Sequence, residues 1–426
     1  MKEQVDLIVD EAQEVVTVGG GRGSLRGDAM DELQIVREGA VAVRDGLIVA
    51  VDASSAIHAT YEGEREVSAR GGIVLPGFCD AHTNPVFAAT REGEFDLRAR
   101  GGSYQDITRS GGGIFSSVRA FRSASRESLE KQLRERLDRF VMCGTTSVEA
   151  KSGYGLDLES ELLALELLAD CGANHPIDID ATCLAAHQVP PEFAEHREAY
   201  VALVAEKILP EVASRKLARS ADVFCDEGAF TVDEARTVLE SARSLGMALR
   251  VHADELAPVG AAELAAEMGA QTADHLVRIS DAGIEAMLGA ETTPVLLPGT
   301  CFSLRLKDVA PARRMIEAGL PVALATDFNP GTSYIPSMVE IIALACGLLG
   351  MTVAESIVAA TRNAAETLGL PGVRGRIEVG AVADLVLLDV PNHLFLGYQM
   401  GWHAVTAVVK SGALVWQRHD NRPTLL

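Results

Sequence analysis

Short apolar runs punctuate the chain at a spacing that favours strands alternating with helices. Near the N-terminus, residues 5–9, 15–18 and 39–51 read as β-rich segments, and Arg44-Asp45-Gly46 supplies a hairpin turn. The same texture returns at 383–388 and 404–415, with Lys410-Ser411-Gly412 as the turn. The two ends predict one small accessory β-sandwich domain, residues 1–72 with 376–426. Between them, at 73–375, eight runs each close in polar or glycine residues: IVLPGFCDAH, TTSVEAKSGYG, IDIDATCLAAH, ADVFCDEGAF, ALRVHADE, TADHL, TTPVLLPG and PVALATDFNP. Eight such runs with helical segments in the gaps predict an α/β fold, a (β/α)8 TIM barrel against which the accessory sheet packs directly.

Helix signals fall in the gaps. Leu129, Leu133 and Leu137 form an apolar stripe, and Thr231 with Glu234 and Thr352 with Glu355 have the spacing of capping boxes. The glycine-rich stretch at 19–27, GGGRGSLRG, lacks the strand-turn-helix setting of a nucleotide fingerprint and reads as a flexible loop. RSGGGI, around Gly111 to Gly113, lacks the lysine of a P-loop.

Composition narrows the setting. A formal charge of −22 repels phosphate backbones, which argues against a nucleic-acid partner. The 7 cysteines include no C-x-x-C pair, so neither a disulfide framework nor a thiolate zinc site is indicated, and a reducing cytoplasm fits. The opening MKEQVDLIVDEAQE has acids where a signal peptide needs bases, and no run has the length of a membrane helix, so a soluble cytoplasmic protein is expected.

Barrel enzymes place their chemistry where strands end at the C-terminal face. His82 closes the first run, Glu149 and Tyr154 belong to the second, and His187 closes the third. His252 and Glu255 follow the fifth, His275 closes the sixth and Asp327 the eighth. The other six histidines, His58, His175, His196, His393, His403 and His419, read as surface or structural. His82, His252 and Asp327 suit Zn²⁺ or iron, a borderline-soft donor set able to leave a position for water. Glu255 lies close enough to His252 to act as a base, and His275 is placed to polarise a carbonyl or shuttle a proton. Arg91 offers a bidentate fork for a substrate carboxylate, or pairs with Glu92 or Glu94. Tyr154, in the turn SGYG, is a substrate contact or a packed loop aromatic.

These motifs extend over nearly the whole chain: LPGFCDAHTNPVFAATREGEF, SYQDITRSGGGIFSSVRAFRSAS, GTTSVEAKSGYGL, AAHQVPPEF, VHADEL, TADHL, LLPGTCFSL and ALATDFNPG. With them the chain resembles the imidazolonepropionase family of the amidohydrolase superfamily. The resemblance implies a homodimer with one Zn²⁺ or Fe³⁺, hydrolysing the ring amide of 4-imidazolone-5-propanoate to N-formimidoyl-L-glutamate in histidine degradation. By the same resemblance His82, His252 and Asp327 bind the metal, Glu255 activates water and also meets substrate, and His275 assists attack. Arg91, Tyr154 and His187 hold the substrate, and Asn329, Gly331 and Thr332 contact the product, Thr332 standing where the family usually has serine. One departure stands out: the family's H-x-H reads His82-Thr83-Asn84. Asn84 ligates through oxygen, His187 or water takes its place, or metal is not bound. The alternative functions are an amidohydrolase or deaminase acting on another heterocycle, and a metal-free barrel that binds a small carboxylated ligand.

Overall fold

The two ends of the chain meet in one sheet. In the computed structural model, which describes residues 2–101 and 112–418, the first part forms β1 (Glu3–Val16), β2 (Ile35–Arg44), β3 (Leu47–Ala53), β4 (Tyr61–Ser68) and β5 (Ile73–Pro76). His419 and the 103–111 part of the SYQDITRSGGG motif lie outside the described residues. The C-terminal strands β14 (Leu385–Leu388), β15 (Val405–Lys410) and β16 (Ala413–Gln417) join the first five in the order β16-β15-β14-β5-β1-β2-β3, with β4 added beside β1. Both expected hairpin turns are present, with positive φ at Asp45 and Gly46 and at Ser411 and Gly412, the conformation that tight hairpins need.

The 5–9 and 15–18 segments belong mainly to one strand. A bulge between Val9 and Ala12, with Glu11 at φ 55, shifts the register of β1 against β2 without ending it. β4 and the short helix Ser54–Thr60 before it were not expected from the pattern. Within β4 only Val67 is buried, so this sheet-edge strand carries almost no apolar signal. The 19–27 stretch is not a free loop: the buried Arg362 guanidinium donates to the carbonyls of Val18, Gly19, Gly20, Gly21 and Gly23, and Asn363 binds both backbone groups of Leu25. A cation 339 residues from Gly23 and 344 from Val18 leaves no local signal.

The eight parallel strands of the barrel are β6 (Phe78–Thr83), β7 (Thr145–Lys151), β8 (Asp178–Ala186), β9 (Ser220–Cys225), β10 (Ala248–Ala253), β11 (Thr272–His275), β12 (Thr293–Leu296) and β13 (Ala323–Leu324), paired in sequence order. β13 has only two residues, and the barrel closes just beyond it. Thr326 donates from its backbone N and its Oγ1 to Asp80 at 3.0 and 2.6 Å, Asp327 N donates to His82 O, and Asn84 N donates to Phe328 O. Leu129, Leu133 and Leu137 are buried on helix Arg126–Met142, and the Thr231/Glu234 and Thr352/Glu355 capping boxes are both formed.

One expectation needs correcting. IVLPGFCDAH is two strands: Ile73–Pro76 pairs in the accessory sheet, and only Phe78–Thr83 is in the barrel. The chain crosses between them at Gly77, where an added Cβ would lie 2.4 Å from the Thr146 side chain. Lys410 of β15 reinforces the junction by pairing with Asp178 of β8 and with Asp384, at 2.6 and 2.7 Å. The contact at Gly77 makes Gly77→Ala an overpacking mutation, expected to lower unfolding free energy by about 1–3 kcal/mol in urea titrations. Adding Thr146→Ala should recover part of that loss; simple additivity of the two effects would place the strain elsewhere.

Candidate active site

At the C-terminal ends of the barrel strands, β6 brings His82, β10 His252 and β11 His275, while the segment after β13 brings Asp327. All four are buried. The imidazole centroids are 4.5 Å apart for His82 and His252, 5.3 Å for His252 and His275, and 5.5 Å for His82 and His275. Ring nitrogens of these three histidines lie within 4.8 Å of one another, a group able to hold a metal ion.

Carboxylates behind the rings set their orientation. His82 Nδ1 meets Asp274 Oδ2 at 2.6 Å, and His252 Nδ1 meets Asp222 Oδ1 at 3.0 Å. A carboxylate accepting from Nδ1–H leaves the Nε2 lone pair as the ligating one. His82 Nε2 is buried without a hydrogen-bond partner among the described residues and lies 3.6 Å from Asp327 Oδ1. Asn84 donates from Nδ2 to that same oxygen at 3.3 Å, and its own Oδ1 is buried without a hydrogen bond. Thr300 Oγ1 donates to Asp327 Oδ2. A buried imidazole nitrogen without a hydrogen-bond partner, 3.6 Å from a carboxylate oxygen, fits a cation of borderline hardness.

Burial governs the protonation states. It holds His82 and His275 well below the ordinary imidazole range, Lys151 adding to it at His82 and His252 at His275, and it takes His187 down to about 3. His252 is the exception, because its Asp222 partner outweighs burial and raises it. Burial lifts Asp327 to about 6 against the Thr300 hydrogen bond. Burial, then the charge of Asp327, pushes Glu255 up to about 8. Glu255 Oε1 lies 3.6 Å from His275 Nδ1. Its loop is clamped by Asp226, whose carboxylate accepts from the backbone N of Glu255, Leu256 and Ala257 at 2.7, 2.8 and 3.0 Å.

The remaining expected residues surround this centre. Tyr154 is buried with its ring 5.6 Å from that of His187, and the His187 ring is 6.0 Å from that of His252. The SGYG turn is held by Glu161, which accepts from the backbone N of Gly153, Gly155 and Leu156, and His187 Nδ1 binds Gly153 O at 2.9 Å. Arg91 pairs with Glu94: its Nε and Nη2 both reach Glu94 Oε2, at 3.0 and 2.6 Å. The Nη1 edge lies so close to Gly331 that a Cβ there would meet it at 2.2 Å. Asn329 spends its side chain inside the turn, donating to Asp327 O and Thr332 Oγ1 and accepting from the backbone N of Gly331 and Thr332. Of the histidines set aside as structural, His58, His175 and His393 each pair with a carboxylate away from this centre.

Sequence reasoning missed Lys151, Asp222 and Asp274 in the site, and Asp226, Glu161 and Arg98 around it. The first three had a signal: each is a charge inside a strand that is otherwise buried, where an unpaired ion is costly. Arg98 donates to Gly331 O at 2.9 Å, which brings a second guanidinium to the turn that Arg91 touches.

A model of the amidohydrolase family matches residues 110–415. An imidazolonepropionase from Symbiobacterium thermophilum is 46% identical over 415 residues, covering 96% of this chain and 97% of that protein. Its counterpart in Geobacillus kaustophilus is 45% identical, with the same coverage of 96% and 97%. Among solved structures, an adenosine deaminase from Xanthomonas campestris with bound zinc superposes at a TM-score of 0.71, 20% identity, covering 97% of this chain and 93% of that one. A 5-methylcytosine deaminase from Klebsiella pneumoniae with 5-fluorocytosine does so at 0.72 and 16%, covering 97% and 98%. These two likenesses are of fold. Joined to full-length identity, the fold and the buried cluster of histidines and Asp327 at the strand ends make this chain a member of the imidazolonepropionase family of amidohydrolases.

Proposed function

We propose that the chain hydrolyses the ring amide of 4-imidazolone-5-propanoate to N-formimidoyl-L-glutamate, a step of histidine degradation. The observation that carries this reading is the convergence of three buried imidazoles, Asp327 and Glu255 on one rim, in a chain matched end to end by imidazolonepropionases. His82, His252 and Asp327 are the residues to hold Zn²⁺ or Fe³⁺. When bound, such an ion supplies Lewis acidity, which lowers the pKa of a water and polarises a carbonyl.

The chain's own groups do the rest. Glu255 as carboxylate takes a proton from the water as its oxygen bonds to the ring carbonyl carbon, and His275, neutral, donates an N–H to the carbonyl oxygen as charge gathers there. Glu255 then returns the proton to the ring nitrogen as the C–N bond breaks. Arg91 and Arg98 bring positive charge to the Gly331–Thr332 turn, which supports a place there for the propanoate carboxylate. Tyr154 and His187 wall the ring, and Asn329 shapes the turn that meets the product. Two further parts of this reading are a homodimer and a cytoplasmic setting. All seven cysteines are free, which supports the latter, and no helix of the described residues is long and apolar enough to cross a membrane.

Glu255→Gln should lower turnover by ~10²-fold or more while metal content, read by elemental analysis, stays unchanged. Survival of activity would assign the base elsewhere. In the metal-free protein Glu255 holds its proton to about pH 8, against 4.5 for the ordinary group. The folded chain therefore binds a proton that the unfolded chain releases. Stability from this group is full below pH 4.5 and is lost as pH rises towards about 8. Urea unfolding across that window should show a shallower decline for Glu255→Gln, by up to about one proton's slope; parallel curves would mean that Glu255 is ionised throughout. Asn84→His should slow metal loss to a chelator by tenfold or more, and an unchanged rate would show that position 84 does not face the ion.

A further inference from the structure

We propose that Lys151 is a positioning residue for the metal site, one buried ammonium gathering the three carboxylates that aim His82, aim His252 and hold the backbone between His82 and Asn84. The inference rests on the metal-holding reading of this site. Lys151 is fully buried on β7, and its Nζ lies 2.8 Å from Glu149 Oε1, 2.9 Å from Asp222 Oδ2 and 3.9 Å from Asp274 Oδ2. Each carboxylate works on a different part of the site. Asp274 holds His82 Nδ1, and Asp222 holds both Nδ1 and the backbone N of His252. Glu149 Oε2 accepts from Thr83 N at 3.3 Å, between His82 and Asn84.

The ammonium thus links β7 to β9 and β11 by charge, and through the carboxylates to β6 and β10. Its charge is maintained: burial opposes it, but Asp222, Glu149 and Asp274 outweigh burial and raise its pKa. Three carboxylates gathered where no water screens them repel one another unless a cation sits among them. Removing the ammonium frees Asp222 Oδ2 and takes a positive charge from beside Asp274 Oδ2, the oxygen that meets His82 Nδ1, and with them goes the aim of both imidazoles. Among the described residues no ion pair or hydrogen bond joins Lys151 to the Nε2 atoms or to Asp327, so beyond the charge it places near His82 and Asp327 its positioning action runs through the carboxylates.

The test uses the full chain as wild type, Lys151→Met, and the double variant Lys151→Met/Glu149→Gln, which restores the buried net charge if the single variant does not fold. In metal-free protein with ¹⁵N-labelled histidine, held above the raised pKa of His252 so that both rings are neutral, the wild type should show His82 and His252 each as a single Nδ1–H tautomer, and the variant should show mixed tautomers at both. Zn²⁺ affinity, measured by chelator competition, should fall tenfold or more. A folded variant with lower thermal stability but wild-type tautomers and Zn²⁺ affinity would reduce Lys151 to a structural residue and overturn the proposal. Failure of wild-type protein to bind Zn²⁺ or Fe³⁺ would instead sink the metal reading of the site, while the tautomer signals still judge Lys151.

Discussion

The seam that closes the barrel is the constraint on which the site depends. β13 is too short to complete an ordinary strand pair with β6, so the join is made by Asp80 gripping Thr326, by Asp327 N on His82 O, and by Asn84 N on Phe328 O. Those hydrogen bonds interleave residues 82, 84 and 327, which are 243 positions apart at their closest contact between side chains. The same backbone bonds that finish the fold therefore set the first and last of the proposed ligands side by side. In a barrel this is economical, since the final strand must return to the first wherever the chain has been in between.

Placing these groups strains the backbone. His275 and Asp327 have φ of 74 and 50, and Asp254, between His252 and Glu255, has φ of 48. Residues with a Cβ resist this region, at a cost of about 1–3 kcal/mol each, and it persists only where surrounding bonds over-determine it. Here they do. Asp254 accepts from the backbone N of Val259, Gly260, Ala261 and Ala262, Asp226 accepts from the three amides that begin at Glu255, and Asn329 closes the turn after Asp327. Buried carboxylates and an amide thus replace regular secondary structure as the device that holds the loops. Glu161 does the same for Tyr154.

This explains what the sequence made legible and what it hid. Strand-end histidines were readable because a barrel puts its chemistry at one face, and β10 and β11 end much where the runs suggested. Both capping boxes were readable because their partners are three residues apart. β4 escaped because an exposed edge strand has no apolar alternation, and the Arg362 anchor escaped because its partners are over 300 residues away. The IVLPGFCDAH run read as one strand because both halves are apolar, while the break between them depends on contact with Thr146. Lys151 and its carboxylates were visible as charges in apolar strands, but only their three-dimensional meeting turns four apparent anomalies into one network. Arg91 shows the reverse case: its local pairing with Glu94 was one of two readings, and the structure forms that pair while leaving the Nη1 edge against Gly331.

Asn84 can be weighed on charge and softness. Replacing an imidazole with an amide changes no formal charge, so the anionic part of the donor set remains Asp327 alone. What changes is donor strength and softness: an amide oxygen is a weaker and harder ligand than imidazole nitrogen. Asn84 also donates to Asp327 Oδ1 while Thr300 donates to Oδ2, so both oxygens of the carboxylate already share their electron density with a hydrogen. Two effects therefore run in the same direction, toward looser binding. A third runs against them, because Asp222 behind the imidazole raises the basicity of His252. In the proposed metal site, retention would thus rest more on His82 and His252 than where a third imidazole stands in place of Asn84.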